Sequence, residues 1–144
     1  MSDFIARIPQ ELRAVGASTV WRLVFVAVAI VANVGFYLPK VPAVPGGLTI
    51  PGLDKVVHGV VFALTAWALL RILAPRRRFP AGWVVLLLLC HAGVIELVQG
   101  WLLSGRSADA WDVLADVVGI VVGVVGWRFE QVRQCSTEWS DIRE

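Results

Sequence analysis

The sequence predicts an all-α integral membrane protein, a four-helix bundle with both termini in the cytoplasm. The first observation behind this prediction is composition: 58% of the residues are hydrophobic and 17% are charged, against about a quarter charged in an ordinary soluble domain. The second is that the apolar residues form four long blocks, each near the ~20 residues that cross a bilayer as a helix. The third is the uneven distribution of arginine between the segments that join these blocks.

The predicted helices cover residues 20–38, 56–73, 81–103 and 111–129. The apolar runs lack the alternation of barrel strands, and in lipid only helices and closed barrels satisfy every backbone hydrogen bond. We therefore predict a cytoplasmic or interfacial N-terminal segment at residues 1–19, a transmembrane domain at residues 20–130 and a cytoplasmic tail at residues 131–144.

The first apolar block has the length of a signal peptide core, but the flank before it is long and contains Asp3 and Glu11. No clear cleavage site follows it, so we favour a transmembrane helix. Within that flank, apolar residues recur at the spacing of an amphipathic helix lying on the membrane surface: Phe4, Ile5, Ile8, Leu12 and Val15. A plain cytoplasmic tail is the alternative, because Pro9 weakens a helix.

The orientation follows from the basic residues, which accumulate on the cytoplasmic side of membrane proteins. With the N terminus inside, ten of the 13 lie on the cytoplasmic side: Arg7, Arg13, Arg22, Arg71, Arg76, Arg77, Arg78, Arg128, Arg133 and Arg143. The other three lie outside: Lys40, Lys55 and Arg106. Tryptophans then mark the inner boundary (Trp21, Trp83, Trp127) and the outer one (Trp101, Trp111), as in an aromatic belt.

This topology brings distant polar residues to one depth near the outer boundary. They are Asp54, Lys55, His58, Glu96, Gln99, Arg106, Asp112 and Asp116. Asp54 and His58 share a helix face, as do Asp112 and Asp116. Ionisable residues inside a membrane cost about 2.5–3.5 kcal/mol at its centre and are functional by default. We predict that these eight residues form a ligand-binding pocket among the last three helices.

Asp109 of the outer loop adds a fifth carboxylate to this cluster, whose acids outnumber its fixed cations. We expect a proton, a metal ion or a cationic ligand group to balance them. If the site is catalytic, His58 or Glu96 is the candidate general base. Asp112 and Asp116 are the candidate ligands of a divalent cation, and oxygen ligands favour Mg²⁺ or Ca²⁺. We otherwise expect no cofactor. The structural alternative is that Lys55 and Arg106 bridge acids and lock the helices together.

Three further features of the helices carry separate predictions. Asn33 is expected to form a hydrogen bond between helices, and His91 is expected to be a packed neutral histidine outside the pocket. Gly119 and Gly123 form a small-residue stripe with Ala115 and Gly126. We interpret the stripe as packing within the chain, with homodimerisation as the alternative.

The polar motifs, in this order, resemble the VanZ-like family of small bacterial membrane proteins, over about Asp54 to Gly123. The family's Asp-Lys-x-x-His is matched by Asp54, Lys55 and His58, its Glu-x-x-Gln by Glu96 and Gln99, its Gly-Arg by Gly105 and Arg106, and its Asp-x-x-x-Asn-x-x-Gly by Asp112, Asp116 and Gly119. Two positions differ: Asp116 stands where the family often has Asn, and Gly59 stands where an aromatic residue is common.

The resemblance implies a multi-pass protein of the bacterial plasma membrane that acts in the cell envelope. The family's named member is associated with teicoplanin resistance without a change in the peptidoglycan precursor termini. We expect the pocket to bind an envelope or lipid-linked ligand, with Arg106 and Lys55 as phosphate contacts. The expected partners are membrane lipids and a lipid-linked intermediate or glycopeptide.

Two other functions are alternatives to binding. A membrane enzyme acting on a lipid-linked or cell-surface substrate is the main alternative, although no Ser or Cys nucleophile lies beside His58 in an obvious arrangement. Proton- or ion-coupled transport is a third hypothesis, against which the apolar inner halves of the helices argue. A net charge of +2 gives no indication of nucleic acid binding.

Overall fold

The computed structural model of the chain describes residues 18–39, 52–74 and 81–141, with side chains described as far as residue 133. Within those ranges it contains four α-helices and no strand. They are α1 (Thr19–Val34), which a 3₁₀ turn at Gly35–Tyr37 continues, α2 (Leu53–Leu73), α3 (Ala81–Trp101) and α4 (Ala110–Asp141). The all-α four-helix prediction is confirmed. The proposed amphipathic segment lies outside the described residues.

The helix boundaries differ from the predicted ones where local chemistry overrides hydropathy. α2 begins at Leu53, three residues early, because Gly52 adopts a left-handed conformation (φ 77°) and its carbonyl accepts a hydrogen bond from the Val56 amide. α4 continues to Asp141, twelve residues beyond the predicted end at 129. The added segment is polar and contains neither glycine nor proline, so the helix persists where the apolar block stops.

All four helices are long and apolar enough to cross a membrane, over Thr19–Tyr37, Leu53–Leu73, Ala81–Trp101 and Ala110–Arg133. Large apolar side chains such as Val31, Leu87 and Val125 are more than half exposed, which suits contact with lipid tails. The chain is therefore a multi-pass membrane protein. An even number of spans places residues 18 and 133 on the same side of the membrane. That this side is the cytoplasm stays a prediction.

The most extensive helix contact joins α2 and α4. A Cβ atom on Gly119 would collide with the carbonyl oxygen of Gly59, and one on Gly123 would collide with that of Ala63. Both contacts join residues 60 positions apart in sequence, so the two helices run parallel and in register. This confirms that the small-residue stripe packs within the chain.

Helix α1 is held to the bundle through a polar cluster around Asn33. The Asn33 amide nitrogen donates to Thr65 Oγ1 (2.8 Å) and to the Ala29 carbonyl (2.7 Å), and its oxygen lies 3.0 Å from His91 Nε2. Tyr37 Oη lies 3.3 Å from His91 Nδ1. A neutral His91 that carries its proton on Nε2 satisfies every group in this cluster. Asn33 is thus the predicted interhelical hydrogen bonder, and His91 belongs to its cluster.

We call the end of the bundle that carries Arg22, Arg71 and Arg128 the arginine end. There the buried Arg71 donates to Glu130 (3.2 Å), so this part of the bundle is less apolar than the sequence suggested. Trp127 also departs from the aromatic belt: only 4% of it is exposed and it belongs to the buried core. The other belt tryptophans are exposed: Trp21, Trp83, Trp101 and Trp111.

Candidate functional site

The predicted polar residues meet at the opposite end of the bundle, which we call the polar end. It contains a cavity of about 160 Å³. The lining residues are Asp54, His58, Gln99, Gly105, Arg106, Ser107, Asp109 and Asp112. Five of the eight predicted residues thus line the cavity. The other three, Lys55, Glu96 and Asp116, contact lining residues.

The start of α2 is joined to the start of α4 by Lys55. Its ammonium lies 2.6 Å from Asp109 Oδ2 and 2.9 Å from Asp112 Oδ1. Asp54 is a more distant partner at 3.6 Å, and 60% of its side chain is exposed. Lys55 therefore neutralises α4 carboxylates, as the structural alternative anticipated for this residue.

Asp109 was predicted to belong to the acidic cluster but not to bind the ligand, and its side chain and amide have three polar contacts. Its Oδ1 accepts from the Trp111 amide (2.9 Å), which caps the first turn of α4. Its own amide donates to Glu96 Oε2 (2.8 Å). Lys55, followed by the Trp111 amide, holds the pKa of Asp109 below its usual value. The sequence signal was an aspartate immediately before a helix start.

His58, which lines the cavity, forms a buried pair with Asp116, which does not line it. His58 Nδ1 lies 2.9 Å from Asp116 Oδ1, and the two residues are 2% and 0% exposed. The Phe36 ring lies against the imidazole, with centroids 4.2 Å apart. Because Nδ1 is engaged, Nε2 is the ring nitrogen left for a cavity ligand. Asp116 thus affects the cavity only indirectly, by holding the orientation of the His58 ring.

Two residues of α3 complete this end of the bundle. Gln99 donates to the Phe36 carbonyl (3.0 Å), which ties α3 to the 3₁₀ turn. Glu96 is 7% exposed, and its Oε1 is buried without a hydrogen-bond partner among the described residues. At about 1.5 Å per residue, Glu96 and His58 each lie about 7.5 Å inside their helix ends.

His58, Glu96 and Asp112 lie close enough to share a ligand. Each offers one donor atom, these atoms lie within 4.8 Å of one another, and all three residues are buried. The sequence analysis paired Asp112 with Asp116 as metal candidates. The structure instead groups Asp112 with the two residues predicted as general bases, while Asp116 is bound to His58.

Arg106 has no ion pair with any carboxylate of the described residues, although aspartates line the same cavity. Its one side-chain hydrogen bond with a described residue runs from Nη2 to the Gly35 carbonyl and is long, at 3.4 Å. Its Nε is buried and has no partner among the described residues. The guanidinium is therefore held beside the acids without being neutralised by them.

Two aromatic rings separate the polar end from the Asn33 cluster. Phe36 contacts His58, Phe62 contacts His91 with centroids 5.8 Å apart, and the two phenylalanine rings lie 6.1 Å from each other. No hydrogen bond between described residues crosses this aromatic layer. This arrangement gives no support to a continuous path for ions.

Comparison with known families gives a match over most of the chain. The model of the VanZ/LLP1 family matches residues 5–131, which is most of the chain. Comparisons with curated proteins and with solved structures found no match. The chain therefore belongs to the VanZ/LLP1 family.

Proposed function

We propose that this VanZ/LLP1 family protein binds a phosphate-bearing, lipid-linked molecule of the bacterial envelope in the cavity at its polar end. We further propose that this binding serves a role in resistance to teicoplanin-type glycopeptides, in keeping with the family. The observation that carries the proposal is the unpaired state of Arg106. Its guanidinium lines the cavity but forms no ion pair with a described carboxylate.

An arginine beside several aspartates ordinarily forms a bidentate pair with one of them. Here Lys55 contacts both Asp109 and Asp112, so the planar fork of Arg106 remains for another anion. That fork matches the oxygens of a phosphate, and the hydrogen bonds it makes are charge-assisted. A phosphate is also the group that joins envelope saccharides to their polyprenyl carriers.

The surroundings of the cavity suit a ligand with a polar head and an apolar tail. Exposed apolar side chains lie close in sequence to cavity residues, at the end of α3 and the start of α4, namely Leu97, Trp101, Leu102 and Trp111. An acyl or prenyl chain would lie against these groups in the membrane while its phosphate entered the cavity. A fully water-soluble anion would gain nothing from them.

The proposal also places the chain in the plasma membrane with its polar end outside. It is supported by Arg22, Arg71 and Arg128 at the opposite end, because arginine is enriched on the cytoplasmic side. Phosphatase and fluorescent-protein fusions at each terminus test the orientation. We expect fluorescence without phosphatase activity at both. Phosphatase activity at a terminus would put the cavity on the cytoplasmic side and rule out a ligand of the outer surface.

Arg106→Lys and Arg106→Ala test the ligand site. Lysine keeps the charge but lacks the planar fork. A hydrogen bond to a charged group is worth about 1.5–3 kcal/mol, so we expect each variant to bind undecaprenyl phosphate roughly 10- to 100-fold more weakly. Both should accumulate in the membrane at the level of the original protein and lose any protection against teicoplanin. Binding is measured by native mass spectrometry on the purified chain, with teicoplanin as a second probe.

Arg128→Ala is the matched control, since it removes an exposed arginine at the arginine end and should leave binding unchanged. Poor accumulation of Arg106→Ala together with normal behaviour of Arg106→Lys would assign Arg106 a structural role. Preferential binding of teicoplanin over the polyprenyl phosphate would replace the proposed ligand with the glycopeptide.

A membrane enzyme is the second candidate, and the His58–Asp116 hydrogen bond favours it. A carboxylate on Nδ1 fixes the orientation of the histidine base in many catalytic sites. The two functions differ in turnover: an enzyme would release phosphate from a polyprenyl pyrophosphate, and His58→Gln would abolish that release. A binding protein would return the ligand unchanged.

A further inference from the structure

We propose that His58, Glu96 and Asp112 form a binding site for one divalent transition-metal ion, with Asp116 as the positioning residue of His58. The proposal rests on the converging donor atoms of these residues and on their burial. It does not depend on the lipid-linked ligand, since the metal would bind to the chain alone.

The charge of the polar end calls for a cation. Among the described residues, five carboxylates lie there, namely Asp54, Glu96, Asp109, Asp112 and Asp116, against the fixed cations Lys55 and Arg106. With all of these described groups ionised, their excess is three negative charges. Three of the carboxylates are buried, and Lys55 contacts only one of these three, Asp112. A divalent ion would neutralise most of the excess where burial makes it most costly.

A second observation points to the same place. Only 7% of Glu96 is exposed, and its Oε1 has no hydrogen-bond partner among the described residues. A buried acceptor without a donor is unfavourable, and more so when it is charged. Its second oxygen is already engaged with the Asp109 amide. A metal ion bound at Oε1 would satisfy the unpaired atom.

Each proposed ligand is oriented by a neighbour. Asp116 engages His58 Nδ1, which leaves Nε2 for the metal, and this carboxylate–histidine–metal arrangement recurs in metalloproteins. The Asp109 amide holds Glu96. Lys55 holds Asp112 through Oδ1, which leaves Oδ2 for the metal.

The donor set indicates which metals fit. One imidazole nitrogen and two carboxylate oxygens suit Zn²⁺ or Mn²⁺ better than Ca²⁺, which takes six to eight oxygens. Including His58 thus shifts the preference away from the Mg²⁺ or Ca²⁺ expected for two aspartates. Donor atoms no more than 4.8 Å apart can all lie within about 2.8 Å of a common centre, so a shift of at most about 0.7 Å per donor reaches a metal–ligand distance of 2.0–2.2 Å.

The site is tested by direct metal binding to the full chain, purified in detergent without a histidine tag and stripped with a chelator. Titration with Zn²⁺ and with Mn²⁺, followed by calorimetry and by Mn²⁺ electron paramagnetic resonance, should show one ion per chain. We expect Glu96→Gln and Asp112→Asn to weaken binding by at least 100-fold. Asp116→Asn should weaken it by about 10- to 100-fold, as for other partners of metal-bound histidines.

The control is His91→Gln, because His91 is the second of the chain's two histidines and lies outside the site. It should bind the metal as tightly as the original protein. Unchanged binding in Glu96→Gln and Asp112→Asn would overturn the proposal. If these variants do not fold, the original protein decides: a rise in Tm on adding metal supports the site, and no rise at millimolar metal refutes it.

Discussion

Adding one methyl group at Gly119 or Gly123 is expected to destabilise the bundle more than any other change of this size. The new Cβ of Gly119→Ala would meet the Gly59 carbonyl and the Ala63 amide, and that of Gly123→Ala would meet the Ala63 carbonyl and the Ala66 Cβ. Because these partners are mainly backbone atoms, no side chain can rotate away to make room. Overpacking typically costs about 1–3 kcal/mol of stability, and we expect each variant to lose about 3 kcal/mol or more of its free energy of unfolding.

The same helix offers a matched control. A Cβ on Gly126 would find its nearest neighbour, a Trp67 ring carbon, at 3.7 Å, which is an ordinary contact. Alanine is also favoured over glycine in helices by about 0.5–1 kcal/mol. Gly126→Ala should therefore be neutral or slightly stabilising. Unfolding by dodecyl sulfate or heat in detergent measures the difference, and equal stability of the Gly119 and Gly126 variants would contradict the α2–α4 contact described above.

Replacing both members of the buried His58–Asp116 pair is expected to abolish function without loss of stability. His58→Leu alone leaves a buried carboxylate without its partner, and breaking a buried pair typically costs about 3–5 kcal/mol. Asp116→Ala alone leaves His58 Nδ1 unpaired. The combination His58→Leu with Asp116→Ala removes both polar groups and keeps the enclosed volume similar. Apolar replacements of this kind are often neutral or stabilising by about 1–4 kcal/mol.

A double-mutant cycle measures this expectation, with stability and metal binding followed in all four proteins. The double variant should equal or exceed the stability of the original protein and bind no metal. If it is as unstable as the two single variants combined, the pair is chiefly structural. In that case stability alone would explain why a carboxylate and an imidazole lie inside the membrane.

The helices and their common polar end were predictable because they depend on properties that the sequence displays locally. The length of an apolar block fixes a span, and the order of the spans places Asp54, Glu96 and Asp112 at one end whatever the packing. The continuation of α4 past residue 129 was missed because a helix can outlast its apolar block once it has left the membrane.

The arrangement within the polar end was not predictable to the same degree. Helices that are apolar on every side carry no periodic signal of which face is buried, so hydropathy did not reveal that Trp127 is buried. The separation of Asp116 from the cavity depends on the rotation of α4 about its axis. Asp109 lies in a loop, and hydrophobic periodicity does not indicate what a loop side chain contacts. Its contacts with Lys55 and Glu96 depend on the tertiary fold.

The backbone contact between α2 and α4 has a consequence for the thermodynamics of binding. Two helices that touch through Gly59 and Gly119 resist sliding or rotating past each other, so His58, Lys55 and Asp112 are held in place without a ligand. Binding of the proposed ligand there would cost little conformational entropy. The ordering cost would fall instead on Arg106, whose side chain has one long hydrogen bond with a described residue, at about 0.5–1.5 kcal/mol for a side chain rich in rotamers. Ordering Arg106 would then be the main entropic cost of the proposed recognition.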